Sequence, residues 1–334
     1  MKKLFLGLAL ICMAVLSCKK EQTSTNGQTP HDGKYKVTFN VGFSQQTANF
    51  QTGALKVNRI GTEVVVLPLS SVVDVICFAV YNSDGNRLHL INQSSSDPNF
   101  GVFTDNLNSG TYTVVVAAGK DGLTLSNDIV YQGREIYNYV DNSNLSTDIL
   151  TYGVLASKQP KVFDKDAFYK KITITVPGTT SQSVSLDRIT SQVQVVVEDA
   201  LPANAKTLEL HIDKTADKFY VGSATPANMN AFLHFNSILP TAAIGTLNYT
   251  FATTAFLAMP SSTQTIGCSS SLPVNSNDIL TADIAQSVVP NVSCLPNKKT
   301  ILTGNLFGGN GKPTTNGFHL FIDTSWNTSP VKSF

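Results

Sequence analysis

The sequence predicts an all-β protein, a sandwich or barrel of short strands, and three observations carry that prediction. From Lys34 onward the apolar residues recur with a period of two, most cleanly in Tyr35-Lys36-Val37-Thr38-Phe39-Asn40-Val41. Such alternation sets one face of a strand against a core and the other toward water. Turn-forming clusters, among them Asn82-Ser83-Asp84-Gly85-Asn86 and Ser109-Gly110, divide the runs at short intervals. No long segment with a helical period interrupts the series.

In order along the chain, strand-like runs are expected at 35–41, 63–67, 72–81, 87–91, 100–105, 111–118 and 148–154. A second set follows at 171–176, 183–198, 207–212, 249–257, 278–284, 300–306 and 317–322. Val176-Pro177-Gly178-Thr179 is a natural breaker between the sets. It divides the folded part into an N-terminal β-sandwich, 34–178, and a C-terminal β-sandwich, 179–334. Residues 223–237 and 260–276 are read as loops or short helices. No tandem repeat of the solenoid kind is present.

The first residues have a separate character. Lys2 and Lys3 precede an unbroken apolar run, Leu4 to Leu16. That run is shorter than the roughly 20 residues a retained membrane helix needs. It fits the apolar region of a signal peptide. It ends in Val15-Leu16-Ser17-Cys18, followed at once by Lys19-Lys20-Glu21-Gln22. This resembles the bacterial lipobox, which implies removal of residues 1–17 and lipidation of Cys18. More than one acyl chain gives stable anchoring where a single chain binds only marginally. Residues 18–33 are polar, with Gly and Pro, and are expected to be a flexible tether. The expected location is the outer membrane, lipid-anchored and surface-exposed.

Loss of Lys2 and Lys3 leaves 22 basic against 23 acidic side chains. A near-neutral chain without a basic stripe argues against nucleic acid as a partner. Charged residues are only 14 %, while Ser, Thr and Asn abound, as expected of an extracytoplasmic β-protein. Of the five cysteines, Cys12 leaves with the signal and Cys18 takes the lipid. Cys77, within Val75-Ile76-Cys77-Phe78, is expected to be a buried small hydrophobe. Cys268 and Cys294 remain, and an oxidising compartment permits a disulfide between them. Such a closure would contribute about 3–4 kcal/mol by constraining the unfolded chain.

Catalysis requires converging groups, and the sequence offers no such set, so no catalytic residue, cofactor or metal is expected. His211 and Asp213 share a strand face, where polar residues usually meet water. His89, His234 and His319 lack ligand spacing, and H-E-x-x-H and G-x-S-x-G are absent. In Gly308-Gly309-Asn310-Gly311-Lys312-Pro313 the first phosphate-loop glycine would fall at Leu306, and Pro313 stands where Ser or Thr is required. The turn at Asn82–Asn86 lacks the closing glutamate of a calcium loop. Trp326, with Phe321, is more simply core than a sugar platform.

Several segments carry a family resemblance. Val72 to Asn86 is a strand entering an Asp-Gly turn, and Leu107-Asn108-Ser109-Gly110-Thr111-Tyr112 runs into an apolar strand that ends Ala117-Ala118-Gly119. Leu186-Asp187-Arg188 lies in a later strand, and Leu302-Thr303-Gly304-Asn305-Leu306 and Ile322-Asp323-Thr324-Ser325-Trp326 close the chain. In this order, after a lipobox, they resemble the fimbrillin-like proteins of Bacteroidetes, which include shaft, anchor and accessory subunits of fimbriae. The resemblance implies two transthyretin-like Greek-key β-sandwich domains in tandem. It implies other fimbrial subunits as partners through strand donation, with a host or microbial surface ligand as a further partner. It also makes Arg59 a candidate processing site, since shaft subunits are trimmed after an arginine beyond the first strand. No long donor strand is evident at the C-terminal end of the sequence, which favours an anchor or accessory role over the shaft. The alternative reading is a glycan-binding outer-membrane lipoprotein.

Overall fold

The computed structural model describes residues 33–43, 68–127, 143–152, 165–227, 231–253, 255–274, 282–308 and 318–323. The expected strand at 63–67 lies outside them. The regular structure of the described residues is almost entirely strand, as the period of two predicts.

The first strands are β1 (Tyr35–Phe43), β2 (Val75–Tyr81), β3 (Arg87–Ser94), β4 (Val102–Leu107), β5 (Gly110–Gly119), β6 (Leu123–Asn127) and β7 (Asp148–Tyr152). A single helical turn, α1 (Leu69–Val72), precedes β2. Then come β8 (Ala167–Val176) and β9 (Ser181–Arg188). One sheet runs β3-β2-β5-β8-β9-β1-β4. Only β1 and β9 are parallel in it; the other neighbours are antiparallel.

This sheet curls until its inner faces share one core. Val37 and Phe39 of β1, Phe78 of β2, Phe103 of β4, Phe168 of β8 and Leu186 of β9 meet there. Phe78 stacks on Phe103 with ring centroids 4.7 Å apart and tilts against Phe39 at 4.9 Å. The outer strands β3 and β4 are stitched by side chains. Gln93 donates to the Val102 carbonyl at 2.9 Å and accepts from the Gly101 N–H at 2.8 Å. His89 meets Asp105 at 2.6 Å. Unpaired strand edges invite foreign strands, and such stitching occupies them.

The sequence of β2, Val-Ile-Cys-Phe-Ala-Val-Tyr, is apolar throughout rather than alternating, and the structure gives the reason. The face opposite Phe78 is also covered, by a small sheet ordered β13-β12-β7-β6, where β12 is Lys218–Tyr220 and β13 is Thr225–Ala227. Cys77, Ala79, Val115, Leu125, Leu150, Tyr169 and Phe219 form this second core. A strand buried on both faces loses its alternation. Cys77 is buried, as expected, and burial pushes its thiol pKa up to about 12.

The remaining strands are β10 (Thr190–Val197), β11 (Thr207–Thr215), β14 (Ala231–Ile238), β15 (Tyr249–Ala252), β16 (Phe256–Leu257), β17 (Met259–Ser269), β18 (Ala285–Cys294), β19 (Lys299–Gly304) and β20 (Phe318–Asp323). They build two further sheets, β15-β10-β19-β20 and β14-β11-β17-β18, which enclose a third core around Val193, Val195, Leu210, Ile266 and Leu302.

Several sequence expectations need correction. Residues 183–198 are not one strand: β9 and β10 lie in different sheets and the chain crosses between them at Ile189. The breaker at Pro177-Gly178 is a hairpin turn, closed by Thr179 N–H to the Thr175 carbonyl at 2.8 Å. Strands on both sides of residue 178 therefore share the first sheet, and β12 and β13 join that half from farther along the chain. The stretch 260–276 holds most of β17, the longest strand among the described residues, rather than loops. Its inward residues include Ser262 and Gln264, which hide the alternation. Both are buried and bonded, Ser262 to the Val292 carbonyl at 3.2 Å and Gln264 to the Cys294 sulfur at 3.5 Å. Likewise, 223–237 contains β13 and most of β14.

The Cys268–Cys294 pairing is also corrected: both thiols are free and buried. β17 and β18 are antiparallel, with Cys268 opposite Ala285 and Met259 opposite Cys294, so the two cysteines sit at opposite ends of one ladder. At about 3.3 Å per residue that is roughly 30 Å, far beyond disulfide reach of about 4.4–6.8 Å between Cα atoms.

Candidate assembly site

The family resemblance implies partners that act through strands, which makes the first strand, β1, the element of interest. It lies inside the first sheet, with β4 on one side and β9 on the other. Tyr35 to Asn40 pair with Leu107 to Val102, and Thr38 to Phe43 pair with Ser181 to Leu186. Val37 and Phe39 are wholly buried, while Lys36 and Asn40 face water. The alternation in the sequence is what seats the strand: each inward side chain contributes about 1.5–3 kcal/mol of burial. Withdrawal of β1 would leave the backbone groups of β4 and β9 unpaired over an opened core. Arg59 lies outside the described residues, as do Cys18 and Trp326.

The motifs behind the family resemblance have structural reasons. Tyr112 reaches back so that its hydroxyl donates to the Asn108 carbonyl at 3.0 Å, and its ring lies against Gly110. Ser109 of the same turn donates to the Val176 carbonyl at 3.3 Å, tying the start of β5 to the end of β8. At Gly119 a side chain would collide with the Tyr152 hydroxyl, 2.5 Å from the would-be Cβ. That hydroxyl donates to the Asp166 carbonyl at 2.6 Å and accepts from Lys120 N–H at 3.1 Å. The glycine is the space into which this bridge fits.

Arg188 explains the Leu-x-Arg motif. It stands at the crossing between the sheet systems, almost fully buried. Its Nε lies 3.0 Å from both carboxylate oxygens of Asp166, and its Nη2 is 2.9 Å from one of them. Nη1 donates to Asn297 Oδ1 at 3.1 Å, and the guanidinium lies over the Phe168 ring. Thr190 adds a hydroxyl bond to Asp166 at 2.5 Å. The Arg188–Asp166 pair thus ties the end of β9 and the entry to β8 to the first residue of β10 and to the turn before β19. Burial raises the Asp166 carboxyl above its ordinary pKa, against the opposing pull of Arg188 and Thr190. Sequence reasoning found this arginine by resemblance alone; its partner Asp166 carried no sequence signal.

Two polar clusters singled out in the sequence bond to their near neighbours. His211 meets Asp213 at 2.7 Å and stacks on Phe232, on the outer face of β11 and β14. The turn at Asn82–Asn86 is closed by its own side chain: Asn82 Oδ1 accepts from the N–H groups of Asp84 and Asn86 at 3.1 and 2.9 Å. Among the described residues, no group of His, Cys, Asp and Glu could hold a metal ion, and no helix is long and apolar enough to cross a membrane.

Comparison with known proteins follows the same line. Among solved structures, a protein described as a candidate adhesin from Bacteroides thetaiotaomicron VPI-5482 matches with a TM-score of 0.50 at 10% identity, covering 89% of this chain and 98% of that one. The fimbrial anchor protein Mfa2 from Porphyromonas gingivalis matches with a TM-score of 0.47 at 11% identity, covering 87% and 97%. No curated protein matches the sequence. A family model, described as fimbrillin-A associated anchor proteins Mfa1 and Mfa2, matches residues 54–266, more than half of the chain. The chain therefore belongs to the family of fimbrillin-A associated anchor proteins Mfa1 and Mfa2.

Proposed function

We propose that this protein is a permanently lipid-anchored anchor or accessory subunit of a fimbria or adhesin assembly, rather than a shaft subunit. The observation that supports the reading is the seat of β1, a core strand paired along both edges. A subunit that keeps this strand has no empty groove, so it cannot accept a neighbour's strand at that place. It can still end a polymer and hold it to the outer membrane through Cys18. The folded part then comprises two β-sandwich units, 34–188 with the β12–β13 hairpin, and the remainder from Thr190 onward. Strand donation from other subunits, and any contact with a host or microbial surface, would use other edges.

The test is assembly itself. Outer-membrane fractions treated with an arginine-specific protease should keep the protein as a single band on unheated gels. A polymer ladder, appearing once the segment holding Arg59 is cut, would contradict the anchor reading. Conversion of Cys18→Ala should release the protein from the membrane; retention there would contradict the lipid anchor.

A further inference from the structure

The β8–β9 hairpin and the β12–β13 hairpin meet the start of β17 and the end of β18 around a cleft of about 540 Å³. This lies within the roughly 300–1,000 Å³ of small-molecule sites. Its walls are apolar and come from both sheet systems: Tyr169, Ile189 and Phe219 on one side, Met259, Leu295 and Pro296 on the other. Tyr169 is already satisfied, its hydroxyl donating to the Val221 carbonyl. The cleft thus offers a ligand little hydrogen bonding from its walls.

The charge is at the lip. Lys170, Lys171 and Asp187 all border the cleft. Lys170 is neutralised by Asp187 at 2.8 Å. Lys171 projects from the same face of β8 as Tyr169, two residues along the strand. Among the described residues its ammonium meets the Gly222 carbonyl and no carboxylate. Among the described residues, one cation without a carboxylate partner therefore overlooks an apolar cavity.

We propose that this cleft binds an amphipathic monoanion, an apolar body bearing a single carboxylate, of the size of a medium-chain fatty acid. The body displaces water from the Met259 and Phe219 walls, which is favourable in proportion to the apolar area covered. The carboxylate replaces water at Lys171, where a charge-assisted bond is stronger than a neutral one. A chain with a cationic head meets Lys171 as a like charge and is rejected.

Photoaffinity labelling of the full chain with a diazirine-bearing dodecanoate tests this, with the labelled residues located by peptide mass spectrometry. The label should fall on the segments around Met259 and Leu295. Dodecanoate should displace it, and dodecyltrimethylammonium at the same concentration should not. Lys171→Glu should weaken labelling at least fivefold while the protein still unfolds in one cooperative transition, because the side chain is exposed. Leu295→Trp, which narrows the lip, should weaken it as well. Labelling spread over other segments, equal displacement by the two chains, or undiminished labelling of Lys171→Glu would each overturn the proposal.

Discussion

At the scale of the residue, the burial of a few polar and reactive groups sets the measurable behaviour. Arg188 and Asp166 are both buried, so loss of one partner strands the other. Such a break costs about 3–5 kcal/mol. Arg188→Leu should lower the unfolding free energy by that amount in urea titrations. Replacing both, Arg188→Leu with Asp166→Leu, should recover part of the loss. The thiols make a second test. Burial pushes Cys268 to about 12 and Cys294 to about 11. Thiolate, not thiol, is the reactive form. Maleimide at pH 7 should leave both unlabelled in the native protein and label both in denaturant, and a bridged peptide in the non-reduced digest would contradict the free thiols. Asp283 supplies the pH signature. Its carboxyl is held below the ordinary value by the Ser270 hydroxyl and N–H. A depressed folded pKa means this contribution is present above the unfolded carboxylate pKa and fades as pH falls through the folded value. Ser270→Ala should move the Asp283 titration upward by nuclear magnetic resonance.

At the scale of the element, β1 is where sequence and structure agree most directly. Its alternation named Val37 and Phe39 as inward, and both are buried without remainder. Phe39→Ala should cost about 3–5 kcal/mol, as for other buried aromatics. Lys36→Ala, on the exposed face of the same strand, should change stability by no more than about 0.5 kcal/mol. Equilibrium unfolding of the two variants separates a seated strand from a loosely attached one. Legibility fell wherever the inward residues are polar. β17 was hidden because Ser262 and Gln264 face the core, where Ser262 donates to the Val292 carbonyl and the Gln264 amide nitrogen to the Cys294 sulfur. β18 was hidden in part by Pro290, which has no N–H to donate and is tolerated at a position of this edge strand that has no partner in the ladder. The crossing at Ile189 was hidden for another reason: β9 and β10 are both good strands, and only long-range pairing reveals that they serve different sheets.

At the scale of the whole molecule, the sequence conveyed the all-β class and the order of most strands, but not the way the halves exchange material. The β12–β13 hairpin lies far along the chain, yet it pairs through Phe219 and Tyr220 with β7. It helps cover the second core, which is why β2 is apolar on both faces. Local periodicity cannot report such a partner. The interleaving, together with the Arg188 tie, couples the two sheet systems. The candidate site was legible in the same uneven way: β1 could be read from its alternation, whereas its two neighbours, one of them parallel, could not. In the function proposed for this protein, the seated strand stays attached to a lipid-bearing Cys18. Intact mass spectrometry of the protein from outer-membrane fractions tests it most directly. The expected mass is that of a chain that begins at Cys18, carries acyl chains and retains Lys34–Phe43; a mature protein that begins at Ile60 would contradict the permanent anchor.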